Sequence, residues 1–447
     1  MFITNITDQW LFLFAYILSI SVLGVLLYAS GISLFKPSIP MVFFWSYLIL
    51  SYAGFPFMVF EFVSSAAWIN VTNSSIIILT WFYSAVSLIL VAVGIVIAKY
   101  ILKIDISTKK SINKNMDVSI VAVIILCFIS GIALLIYIQN VPSIALFEYL
   151  QYGNEADIAL SRSNATNALT GAWRYQFFTT HITPFLSYAT LAALVMTSRK
   201  KYLFVFIIAF ILSSFATVMN FTRSAFPIYF SSVLFVYMLS KNTLISFRVI
   251  TAGLFVVMPF LLYIFAIIAK TDIVSTVRLV VERLLAGTPE AAYFYVIIFP
   301  NDLDYLYGLS LPNPGGILPF EHFRLSVFVS QYIWNFATVY GGGVRENVVG
   351  SAPAMFWTEM YANFGLSGII ISSLMFGGVL WTIHAYVSRL PTHPIVYALI
   401  TYIAFYIRPV STSFLSNIMV PVEPAVVCIL AYILYKFSTR NHIAQTS

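Results

Sequence analysis

Uncharged apolar runs of about twenty residues recur from one end of this chain to the other, and no other feature restricts its fold so strongly. Wound as a helix, each run is long enough to cross a hydrocarbon layer roughly 30 Å thick. Barrel strands would alternate polar and apolar residues, and that alternation is missing. Spans are expected near residues 10–29, 41–60, 76–98, 118–138, 180–198, 202–220, 224–240, 249–269, 354–380, 395–407 and 420–436. The expected fold is an all-α polytopic transmembrane bundle of about eleven spans, forming a single membrane domain over residues 1–447.

Composition excludes a soluble domain. Of 447 residues 61% are hydrophobic and 9% charged, against roughly 25% charged in soluble domains. Cys127 and Cys428 lie inside apolar runs without metal or redox spacing, so they read as small core residues. Residues 1–9 carry no Lys or Arg before the first apolar run, which argues against a cleaved signal peptide.

Lysine and arginine give the expected orientation. Lys36, Lys99, Lys103, Lys109, Lys110, Lys114, Arg199, Lys200, Lys201, Lys241, Arg248, Arg389, Lys436 and Arg440 fall on one side. By the positive-inside rule that side is cytoplasmic, with the amino terminus outside and the carboxyl terminus inside. Of 16 acidic residues only Asp105 and Asp117 share it. The others, from Asp8 to Glu423, face outward.

Two connections on the outer side are long, residues 139–179 and 270–353. Loops of this length in a compact protein are functional or disordered. Residues 290–340 are dense in Phe, Tyr, Trp, Leu and Pro, which can bury apolar area, so an ordered outer cap is expected. Within it Val277, Val280, Val281, Leu284 and Leu285 follow helical spacing, with Arg278 and Glu282 four apart, as in a helix lying along the interface. The smaller loop begins a short helix at Pro142-Ser143 and then turns polar, carrying Arg162 and later Arg174.

No His and carboxylate cluster has metal spacing, and no Gly-rich loop with Lys would hold a nucleotide. Arginine is placed unusually instead. Arg223, in Thr222-Arg223-Ser224-Ala225, is squeezed between two spans, and Arg408 stands at the outer end of another before Pro409. An unpaired guanidinium there is costly, and its planar fork suits phosphate oxygens. Arg345 follows Gly341-Gly342-Gly343, where backbone can approach a ligand closely. Glu359 lies just inside the ninth span, and Trp357 and Tyr361 beside it offer ring faces suited to sugars or to an aromatic belt.

The segment Glu359-Met-Tyr-Ala-Asn-Phe-Gly-Leu-Ser-Gly368, after a long outer loop with Gly-rich and Pro-rich turns, resembles the carboxyl-terminal part of bacterial O-antigen polymerases and related oligosaccharide repeat-unit polymerases. The Thr222-Arg223-Ser224-Ala225 step resembles the short outer Arg turn of the wider polymerase and ligase group. The resemblance implies a glycosyltransferase-C-like bundle of the bacterial inner membrane that joins undecaprenyl-diphosphate-linked repeat units on the periplasmic face. It implies no cofactor and no metal. Partners would be the lipid-linked glycan donor and acceptor, the bilayer and a chain-length-regulating membrane protein, with no nucleic acid.

In that scheme the leaving diphosphate needs cations, for which Arg223, Arg345 and Arg408 are the first candidates, then Arg324 and Arg174. The attacking hydroxyl needs a base, for which Glu359 and His322 come first, then Glu290 and Asp302. Sugar contacts fall to Trp357 and Tyr361. His181 and His384 read as structural, while His393 and His442 lie on the wrong side. Two alternatives remain open. An O-antigen ligase would share the donor chemistry, and a lipid-linked oligosaccharide flippase or secondary transporter should show interrupted spans and midplane charges.

Overall fold

The fold was analysed in a computed structural model, which describes residues 6–60, 73–103, 117–141, 144, 146–147, 172–219, 224–244, 272–339 and 351–446, with isolated positions between 251 and 263. Arg223, Gly341–Gly343, Arg345, most of residues 139–179 and most of the expected span at 249–269 lie outside them.

The principal helices are α1 (Ile6–Ser30), α2 (Ile39–Tyr47), α3 (Ser74–Leu102), α4 (Ile120–Asn140), α5 (Thr183–Thr197), α6 (Lys201–Met219), α7 (Ala225–Lys241), α8 (Ile273–Leu285), α9 (Gly287–Ile298), α10 (Leu325–Val339), α11 (Phe356–Ser388), α12 (Pro394–Ile407) and α13 (Val422–Thr446). Several starts are written locally. The Ser38 hydroxyl accepts from Met41 N, Asn73 Oδ1 from Ser75 N and Ile76 N, and Asp272 Oδ2 from Val274 N and Ser275 N, satisfying amides that a first turn leaves unpaired.

Among the described residues, eight helical stretches are long and apolar enough to cross a membrane. They are Asp8–Ser30, Ile39–Val59, Ser74–Leu102, Ile120–Asn140, Lys201–Met219, Phe356–Ser388, Pro394–Ser411 and Ser416–Ser438. Ala225–Lys241 is a shorter apolar helix. The run expected at 180–198 is built differently: Ala172–Phe177 passes through a π-turn at Phe178–Ile182 into α5. A second π-turn, Leu48–Tyr52, interrupts the stretch that begins with α2.

Two large hydrophobic cores organise the bundle, and a small third cluster of Leu134, Tyr137, Val141 and Met219 lies between α4 and α6. One large core gathers α1, α2, α3, α9 and α11, and the other α4, α5, α6, α7 and α13. α12 belongs to both: Val396, Ile400, Ala404 and Ile407 face the first core, and Ile395, Ala398 and Tyr402 the second. In the first core α3 and α11 touch backbone to backbone. A Cβ on Gly94 would stand 2.2 Å from Leu374 O, and one on Gly377 2.1 Å from Val91 O. Small residues at such crossings let dispersion between helices act at short range, a main source of attraction in a lipid-like medium.

The lysine-rich side expected from sequence is one physical end of this bundle. Lys99 Nζ donates to Ala29 O at 3.0 Å, joining the ends of α1 and α3. Arg199 pairs with Asp117, and Tyr202 donates to the same carboxylate at 3.1 Å. Although burial raises the Asp117 pKa, bonds from Arg199 and Tyr202 and the charge of Lys201 outweigh it and hold the carboxyl below its ordinary range.

α8 is present as expected, with Arg278 Nε donating to Glu282 Oε1 at 2.8 Å. Its apolar stripe, however, is split. Val280 and Thr276 are buried, whereas Val274, Val277 and Val281 are exposed. Glu282 is itself buried rather than on a solvated side.

Candidate functional site

The site lies at the end opposite the lysines, where α11 begins. Glu359 occupies the first turn of this helix and is fully buried. Its Oε2 accepts from Ser416 N at 3.0 Å, in the short helix Ser416–Met419 between α12 and α13. Among the described residues its Oε1 has no hydrogen-bond partner. Tyr295 of α9 stands close by, its hydroxyl donating to Ala352 O at 2.8 Å. Burial first, and the Glu359 carboxyl second, push the Tyr295 pKa well above its ordinary value, so this phenol stays protonated.

The sequence around Glu359 makes a broken helix. Gly365, at φ 62 and ψ −146, departs from helical geometry in a region essentially open only to glycine. A Cβ there would also lie 2.9 Å from the Tyr305 ring. The break frees carbonyls that a continuous helix would consume, and the preceding connection takes them up. Leu306 N donates to Ala362 O at 2.9 Å and Tyr307 N to Asn363 O at 3.0 Å. Asn363 completes the joint: its Oδ1 accepts from Gly308 N, and its Nδ2 donates to Ser310 Oγ and Glu359 O. Irregular backbone at membrane depth is tolerated only where protein satisfies it in this way.

Trp357 and Tyr361, expected to offer ring faces to sugars, are packed inside. Trp357 is fully buried with its Nε1 against the Met355 sulfur, and the Tyr361 hydroxyl donates to Phe299 O at 3.0 Å. Both rings pack edge-on or tilted against Tyr83. They form a wall of the first core here and present no open platform.

Arg408 opens the 3-10 turn Arg408–Ser411 at the end of α12. It is partly buried, and no hydrogen bond or ion pair engages its guanidinium among the described residues. The turn is anchored by Ser51 Oγ, which donates to Ser411 O at 2.5 Å. Arg408 and the Ser416 amide therefore stand on one connector, residues 408–421, that runs past Glu359.

The remaining candidates are spread around this end. Arg324 is exposed just before α10, and His322 is exposed with Nδ1 3.1 Å from Leu311 O. Arg174 is exposed on Ala172–Phe177, beside the second core. That segment reaches the same end because His181 Nδ1 lies 2.7 Å from the hydroxyl of Tyr402 in α12. His181 is thus held structurally, and His384 packs on Trp381. Asp302 accepts from Tyr332 at 2.6 Å. Burial, then that bond to Asp302, push the Tyr332 phenol up to about 12. Glu290 is buried in α9 near Arg283 and Glu282.

The structure thus sets Glu359 against the Ser416 end of the connector and Arg408 at its start, with no hydrogen bond or ion pair between the two side chains among the described residues, places Arg324 and His322 on an outlying loop, and leaves Arg174 beside the other core. Ser416 and Tyr295, which surround Glu359, carried no sequence signal. Among the described residues no group of three or more His, Cys, Asp or Glu is placed to hold a metal ion. No protein-family model matches the chain, and no curated protein or solved structure matches it.

Proposed function

We propose that the chain is a glycosyltransferase that polymerises undecaprenyl-diphosphate-linked oligosaccharide repeat units on the periplasmic side of a bacterial inner membrane, in the manner of an O-antigen polymerase. One observation supports this reading above the rest. Glu359, in the segment that carries the resemblance, is a sealed carboxylate with one oxygen held by Ser416 and the other without a partner among the described residues. A buried carboxylate left half satisfied is costly, and such costs are retained where chemistry uses them.

In the proposed reaction the bond between the donor's anomeric carbon and the diphosphate oxygen breaks as the acceptor hydroxyl oxygen bonds to that carbon. The hydroxyl proton passes to Glu359, and the electron pair leaves on the diphosphate. Arg408, a partly buried guanidinium without a partner among the described residues, is suited to that developing charge. Arg223, by the resemblance of its turn, and Arg345, by its place after three glycines, remain proposed contributors. Because Glu359 is covered, residues 408–421 must shift for an acceptor to reach it.

A transporter of the same lipid-linked glycan is the second reading. It is favoured by the interruptions at Gly365, Leu48–Tyr52 and Phe178–Ile182, since broken helices mark many transporter sites. Purified protein incubated with a lipid-linked repeat unit separates the two. Laddered product is expected, whereas a single transfer to lipid A core means ligation and translocation without transfer means transport. Glu359→Gln, which keeps the side-chain volume, is expected to lower laddering about 10²- to 10⁴-fold. Arg408→Gln is expected to lower it about 10²- to 10³-fold, with partial recovery in Arg408→Lys. Unchanged laddering in both Glu359→Gln and Arg408→Gln rejects the site.

A further inference from the structure

The lysine-rich end contains a cavity of about 790 Å³ that the proposed reaction does not use. It opens where α1, α2, α3, α7, α11 and α12 end together. Lys36, Lys99 and Lys103 line it, and among the described residues no Asp or Glu does. Lys36 and Lys103 are exposed, and Lys99 is fixed by its bond to Ala29 O. Among the described residues no ion pair engages any of the three. Three ammonium groups around one concavity repel one another unless an anion joins them.

The neutral part of the lining points the same way. The α2 amino terminus begins at this cavity, with Ser38 and Ile39 in its wall, and adds the positive end of a helix. Trp381 is 2% exposed, and its indole N–H has no acceptor among the described residues. Deeper walls are apolar, including Leu239, Val387 and Ile400. The cavity therefore combines cationic donors at its rim with hydrocarbon-lined depth, at the level where a membrane surface meets the bundle. Lysines of an ordinary positive-inside belt need no shared concavity and no buried unpaired donor.

We propose that this cavity binds the phosphate of a membrane lipid, with Lys36, Lys99 and Lys103 neutralising the headgroup and the apolar wall receiving part of a chain. The inference rests on nothing at the opposite end and stands whether or not the chain transfers sugars.

Native mass spectrometry of the full-length protein in neutral detergent tests it. The probes are phosphatidylglycerol, phosphatidylcholine, undecaprenyl monophosphate and inorganic phosphate. A retained lipid phosphate is expected, with either anionic lipid held more tightly than phosphatidylcholine. The Lys36→Gln/Lys99→Gln/Lys103→Gln variant is expected to lose that retention by about tenfold or more. A control carrying Lys200→Gln and Lys436→Gln, exposed positions outside the cavity, is expected to keep it. Lys36→Gln alone, and Trp381→Phe, are expected to weaken retention while eluting as the parent protein does. Equal loss in the triple variant and the control overturns the proposal, because the lysines then act only as a diffuse belt. Equal retention of phosphatidylcholine overturns it, as does capture of inorganic phosphate with no lipid retained.

Discussion

Glu290 and Glu359 are both carboxyl groups withdrawn from water, but only Glu290 lies outside the spanning stretches. Burial raises the Glu290 pKa to about 8, with Arg283 opposing the rise and Glu282 adding to it. The folded pKa lies above the unfolded value, so the folded state holds the proton more tightly. Its contribution to stability is full below about pH 4.5 and is lost as pH rises toward 8. Thermal unfolding in detergent at pH 5 and pH 8 is expected to show this loss, and Glu290→Gln is expected to reduce it by several degrees. Glu359 and Arg408 stood out in the sequence because charge beside an apolar run is conspicuous. The groups that surround Glu359 did not: Ser416 lies 57 residues away in sequence and holds it through its backbone amide. Trp357 and Tyr361 were legible as aromatic but not as buried, since a ring at the start of a span suits a rim and a core equally well.

Helices were legible where hydropathy runs unbroken, as in α3 and α4. Their interruptions were not, because an average over a run is blind to one residue's torsion angles. Gly365→Ala is expected to destabilise the fold by about 1–3 kcal/mol from backbone strain alone, and by more where Tyr305 cannot yield. A lower unfolding midpoint in detergent, with Tyr305→Ala recovering part of the loss in the double variant, is the expected result. Gly377→Val tests the α3–α11 crossing. The added carbons meet Val91 O, so the two helices must separate, and reduced yield of monodisperse protein is expected.

At the scale of the molecule, the lysine pattern separated the two ends, and the structure keeps Asp117, Arg199 and Lys99 together at one of them. Which end faces the cytoplasm is open to direct measurement. Asp302→Cys and Lys200→Cys, each in a background carrying Cys127→Ala and Cys428→Ala, place single thiols on exposed sites at opposite ends. An impermeant maleimide applied to spheroplasts is expected to label position 302 at once and position 200 only after permeabilisation. The expected span count of about eleven exceeds the eight long apolar helices, because 180–198 begins in a π-turn, 224–240 is short and 249–269 lies mostly outside the described residues.

The sequence pattern gave no hint that α12 walls both cores, since its two faces are equally apolar. This arrangement governs the order of assembly. Neither core is complete until residues 394–411 have left the ribosome and entered the bilayer, so the early helices must wait for a keystone that arrives late. A chain ended at residue 390 should therefore leave no durable remnant of either half, and proteases should clear it whole.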